Sequence, residues 1–147
     1  GRRFDWAIRQ QPGVTATMPA VSRDKGPQQG LLVEFGSTPV LRTGVDQTIM
    51  LPPGSYQLEF AATATSAELP KSLLWAVDCL DPRQPVQRVE VSEGTYHARS
   101  FQSRFTIPQN CPVQSLSLRT NAMVESWSNR YSGKVLFHDI RITAVQS

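Results

Sequence analysis

Two groups of residues have the chemistry to hold a sugar. In the polar stretch 120–133, TNAMVESWSNRYSG, Trp127 and Tyr131 sit among Glu125, Asn129 and Arg130. Further back, Tyr96 shares the period-2 phase of Gln102 and Arg104, opposite the phase of Phe101 and Phe105. A pyranose has an apolar face and a hydroxyl rim, so it asks for a flat apolar platform flanked by planar polar side chains. An aromatic pair in a polar loop costs solubility unless it packs or binds. Trp127 and Tyr131 therefore either cap the end of a core or form a site. Trp75 shares a phase with Leu73 and Val77 and reads as core.

Other chemistry finds less support. The chain has two histidines, no Gly-x-Ser-x-Gly and no phosphate-binding loop, so it is not read as an enzyme. Glu93 and Glu125 are carboxylates of the type that hydrolyse glycosides, but no spacing links them. Net charge is +3, and the arginines are scattered, with Arg2 and Arg3 alone adjacent. Nucleic-acid binding needs clustered phosphate contacts and is not expected. No apolar run approaches the roughly 20 residues of a membrane-spanning helix, so no membrane insertion is expected.

Cys79 and Cys111 lack metal-ligand spacing. They are either two buried thiols or one disulfide. Each lies at or just past the end of a β-like run, where two strand ends can meet, and the disulfide is the favoured reading. It would close a loop of about 33 residues, contribute roughly 3–4 kcal/mol, and imply an oxidising compartment.

The elements that must position these residues are strands. Proline falls between apolar runs, as turns in an all-β protein require. The expected strands cover 4–8, 14–18, 31–35, 40–42, 47–51, 55–64, 72–80, 86–91, 96–107, 113–119 and 134–145. In the strand from Ser55, Tyr56, Leu58, Phe60 and Ala62 alternate with Gln57, Glu59, Ala61 and Thr63, so one face is buried. The turn LPPGSY reverses the chain: Pro52 and Pro53 set φ near −65°, and Gly54 supplies φ > 0. Val113 lies out of phase with Leu116 and Leu118, which predicts a bulge or register break near Gln114. SRDKGPQQG, 22–30, reads as the most linker-like stretch. So many non-local strands imply a closed sandwich. The start GRRFDWAIRQ has no apolar h-region, and 1–147 reads as one domain excised from a larger exported protein.

The order of motifs resembles carbohydrate-binding modules of the galactose-binding-like jelly-roll class. It runs from a Phe-acidic start through LPPGSYQLEFAA and FTIP to GKVLFHDIRI. A closer likeness is to the C-terminal domain of certain bacterial cell-envelope tetratricopeptide-repeat proteins. There a Trp-x-x-x-Cys strand and a later Cys followed by Gln recur, matched here by Trp75, Cys79, Cys111 and Gln114. The resemblance implies an all-β jelly-roll sandwich of two antiparallel sheets, a periplasmic or secreted location, and a module that binds glycan. The alternative is a domain that docks an envelope protein partner. It also implies a structural Ca²⁺ held by Asp5 and Asp139, although two carboxylates are a thin supply for six to eight oxygens. The competing role for Asp139 is to tie down the N-terminal segment. His138 shares the phase of Leu136, Ile140 and Ile142 and is expected to point into the core as a neutral imidazole.

Overall fold

The computed structural model describes residues 6–23, 26–122 and 127–145, with backbone alone for 21–23 and 26–29. Its strands are β1 (Ala7–Ile8), β2 (Val14–Thr17), β3 (Ala20–Arg23), β4 (Gly26–Gln29), β5 (Leu31–Pro39), β6 (Val45–Ile49), β7 (Gly54–Glu68), β8 (Leu74–Leu80), β9 (Arg83–Glu90), β10 (Gly94–Ile107), β11 (Gln114–Arg119) and β12 (Arg130–Ala144). One sheet runs β1-β6-β11-β8-β9 and the other β10-β7-β12-β5-β2. The pairings within both are antiparallel. This is the jelly-roll sandwich that the sequence predicts, and no α-helix occurs among the described residues.

Alternation dictates the interior. In β7, Tyr56, Leu58, Phe60, Ala62 and Ala64 are buried. They meet Phe105 and Ile107 of β10 and Val135 and Phe137 of β12, which are buried too. From the other sheet come Trp75, Val77, Leu116 and Leu118. Trp75 sits at the centre, with ring centroids 5.2 Å from Phe137, 6.4 Å from Phe60 and 5.0 Å from Trp6. Truncating such a residue costs about 3–5 kcal/mol. The LPPGSY turn forms as expected: Gly54 has φ 151°, and the Tyr56 hydroxyl donates to the Pro52 carbonyl at 2.6 Å.

Cys79 and Cys111 form a disulfide, with Cα atoms 5.5 Å apart. It ties the end of β8 to the turn before β11. That turn holds a correction. β11 pairs with β6 and β8 without a register shift, so no bulge lies near Gln114. Gln114 is itself the inward residue in the phase of Leu116 and Leu118, and it is fully buried. A buried amide is tolerated when it is bonded. Gln114 Oε1 accepts from the Leu51 amide at 2.8 Å, and Nε2 donates to the Cys111 carbonyl at 2.6 Å.

Two further differences bear on the ends of the sheets. Within the stretch 22–30, the described residues are strand rather than linker: β3 and β4 pair antiparallel as a two-stranded sheet, in the register of the β2–β5 pair. Val40 and Leu41 lie past the end of β5 as a loop.

Candidate functional site

The excursion before β12 ends in a 3-10 turn, Trp127–Asn129. The strand that follows begins by pairing with the end of β5, Arg130 opposite Pro39 and Tyr131 opposite Thr38. The structure divides the residues expected there. Tyr131 is fully buried, with its ring centroid 5.4 Å from that of Phe35. Its hydroxyl donates to the Ser72 carbonyl at 2.5 Å. Burial pushes its pKa up to about 12, because the phenolate would lose its hydration. Asn129 is buried as well. These two are anchors rather than a ligand surface, which corrects the sequence reading. Trp127 remains outside, 67% exposed. The guanidinium carbon of Arg130 stands over its ring, 4.5 Å from the centroid.

The anchoring explains the platform. A 3-10 turn brings residues i and i+3 to one side, so Arg130 falls over Trp127. Tyr131, the next residue, points the opposite way, into the core. Neighbouring loops are tied to the same end. Thr120 Oγ1 lies 3.2 Å from the Val40 carbonyl and 3.1 Å from that of Leu41, and the Asn121 amide donates to the Lys71 carbonyl at 2.8 Å.

The second expected group separates. Gln102 pairs with Glu59 and Arg104 with Gln57, so both stand on the outer face of their sheet. Two register shifts interrupt β10, between Gly94 and Tyr96 and between Tyr96 and Arg99, and Ala98 has φ 47°. The shifts invert the phase, and Tyr96 falls opposite Ala64, an inward residue. Tyr96 is half-buried, its hydroxyl donates to the Ser92 carbonyl at 2.6 Å, and Arg99 stands 4.3 Å over its ring. Burial raises its pKa, and the Arg99 charge opposes the rise. It does not join Gln102 and Arg104. Those two belong to a polar surface with the Arg141–Glu59 ion pair at 3.1 Å and a Gln57–Glu59 hydrogen bond at 2.7 Å. No Phe, Tyr or Trp joins that face among the described residues.

A bulge also moves His138. β12 shifts register between His138 and Arg141, with Asp139 at φ 56°. Val135 and Phe137 before the bulge and Ile142 after it point inward; Leu136 and His138 face outward. His138 is buried all the same, at 6% exposure, but not in the shared interior as expected. Its Nδ1 lies 3.5 Å from the Asp139 carboxylate.

The calcium pair is only half placed, since Asp5 lies outside the described residues. Beside Asp139 stands the His138 imidazole, a nitrogen ligand that a hard cation does not favour. No three His, Cys, Asp or Glu side chains gather into a metal cluster among the described residues.

On the other flank of the same end lies an open cleft of about 290 Å³, lined by Leu69, Ser72, Glu90, Val91, Ser92 and Glu93. Sequence reading considered Glu93 only as half of a carboxylate pair with Glu125, which lies outside the described residues. Glu93 accepts the Leu69 amide at 2.7 Å, and Glu90 accepts the Ser72 hydroxyl at 2.8 Å.

No family model matches this chain, and no curated protein does. Solved structures share its architecture. The CBM22-1 xylan-binding domain from Paenibacillus barcinonensis Xyn10C superposes with a TM-score of 0.59 at 16% identity, over 97% of this chain and 86% of that one. A family 4 carbohydrate-binding module, CBM4, gives 0.56 at 15% identity, over 88% and 78%. The enzymatically active domain of bacteriophage CBA120 tailspike protein 4 gives 0.62 at 15% identity, over 97% of this chain and 19% of that one. The class is thus set by fold: a jelly-roll β-sandwich of the kind that carbohydrate-binding modules use.

Proposed function

We propose that this domain is a non-catalytic module that binds glycan, with Trp127 and Arg130 as its platform. The carrying observation is an indole left 67% exposed and steadied by a guanidinium 4.5 Å above it, on a turn fixed by the buried Tyr131. The likeness to carbohydrate-binding modules supports the same reading. Gln102 and Arg104, on the outer sheet face, are at most a secondary contact, because no aromatic ring accompanies them there.

We place the domain in a larger exported protein outside the cytoplasm. The disulfide supports this, as does the sequence likeness to the terminal domain of envelope tetratricopeptide-repeat proteins.

Tryptophan fluorescence titrated with a panel of polysaccharides tests the proposal. Binding is expected, and Trp127→Ala should weaken it about tenfold, or about 1.4 kcal/mol. A domain that ignores every polysaccharide yet retains a specific protein in a pull-down is an interaction domain instead.

A further inference from the structure

We propose that the glycan is acidic, and that Arg130 takes its carboxylate or sulfate group as a two-pronged fork. The inference rests on the Trp127–Arg130 platform being the binding site. A guanidinium carries five N–H donors in one plane and matches planar oxyanions with paired hydrogen bonds. Three other arginines spend such forks on the protein. Arg88 and Arg119 reach Asp78 at 2.8 and 3.3 Å, and Arg141 reaches Glu59 at 3.1 Å.

Arg130 differs. It is exposed, it stands over an indole that offers no acceptor oxygen, and its side chain makes no ion pair or hydrogen bond within the described residues. Arg42 and Lys71 stand exposed on the loops tied to this end and likewise lack a carboxylate partner among the described residues. Among the described residues, opposing charges near this end are Glu68, across from Ser132, and Glu90 and Glu93 of the cleft, the latter two bound to Ser72 and the Leu69 amide. A neutral sugar needs a ring to lie on but not an unpaired guanidinium over it. An acidic one uses both.

The test is calorimetric titration with three hexasaccharides: hexagalacturonate, a chondroitin sulfate fragment and neutral xylohexaose. At least one acidic ligand is expected to bind ten times more tightly than xylohexaose at 50 mM salt, and to weaken at 300 mM as ion pairs are screened. Arg130→Ala should cost the acidic ligand at least tenfold and leave xylohexaose within twofold. Arg130→Lys, which keeps the charge and loses the fork, should recover less than half of the lost binding energy. Unchanged melting temperatures would confirm folding, since Arg130 is exposed.

A preference for galacturonate assigns a carboxylate; a preference for chondroitin sulfate that is lost with unsulfated chondroitin, which keeps the glucuronate carboxylate, assigns a sulfate ester. Equal or tighter binding of xylohexaose, full rescue by lysine, or an Arg130→Ala variant without effect overturns the acidic assignment while the glycan reading stands. Silence toward all three and toward the wider polysaccharide panel overturns the glycan reading itself.

Discussion

One end of the sandwich carries two flanks with opposite habits. On the β9–β10 side, polar groups around the cleft are consumed by the fold: Glu93 caps the Leu69 amide, Glu90 holds Ser72, and the Tyr96 hydroxyl is bound to Ser92. On the β5–β12 side, Arg130 and Trp127 hold each other and bond to little else. A pocket is therefore a poorer guide to a site here than an unspent donor beside an exposed ring. The cleft has volume and charge, yet its carboxylates already have work as caps. Tyr131 links the flanks, since it follows the platform in sequence and donates to Ser72, a residue of the cleft wall.

The comparison can be strained from several directions. The largest effect should come from the far end. Replacing Cys79 and Cys111 with serine should lower unfolding free energy by about 3–4 kcal/mol, because a cross-link spanning 32 residues restricts the unfolded chain. Denaturant melts measure it. Glycan affinity at a temperature where both forms are folded should not change; a change would mean that the platform depends on the opposite end.

Tyr131→Phe should come next, at about 1–2 kcal/mol, since the Ser72 carbonyl loses its donor. It carries a pH signature. In the unfolded chain a tyrosine ionises near its ordinary value of 10, but in the fold Tyr131 holds its proton to about 12. Its contribution is complete below pH 10 and is lost as pH rises toward 12. Wild-type stability should fall through that window, and Tyr131→Phe should flatten most of the fall. The raised pKa of Tyr96 leaves a residual slope.

Glu93→Gln should cost about 1 kcal/mol, from a weakened charge-assisted bond to the Leu69 amide, with no effect on glycan binding. If it altered binding, the cleft rather than the platform would be the site. The smallest expected effect is that of a chelator. With Asp139 beside an imidazole and no cluster of three such donors among the described residues, EDTA should leave the melting temperature within about a degree; a drop of several degrees, abolished by Asp139→Asn, would establish a metal.

Much of this was legible from residue types. The β7 alternation, the LPPGSY turn and the cysteine pair each act over a few residues, and all were found as read. The misplacements share one cause. Tyr96 and His138 were assigned faces by counting in twos, and each strand contains a bulge that breaks the count. A bulge is set by the partner strand as much as by local sequence. Gln114 failed differently. The phase of Val113 suggested an interruption beside it, whereas the Leu51 amide, brought there by folding, and the nearby Cys111 carbonyl bond its side chain and let it take a core position. The β3–β4 hairpin was missed because its turn-forming composition, rich in Gly, Pro and charge, is also that of a linker.

By itself, then, the sequence determined that this chain is a two-sheet sandwich, because alternating apolar side chains leave a strand one face to bury. It also set Trp127 and Arg130 three residues apart in one polar stretch. Only the tertiary structure decided that Tyr131 is an anchor and Trp127 a surface. Both are amphipathic rings in a polar stretch, and what separates them is whether a carbonyl and a hydrophobic wall, supplied by Ser72 and Phe35 from distant parts of the chain, are there to receive the ring.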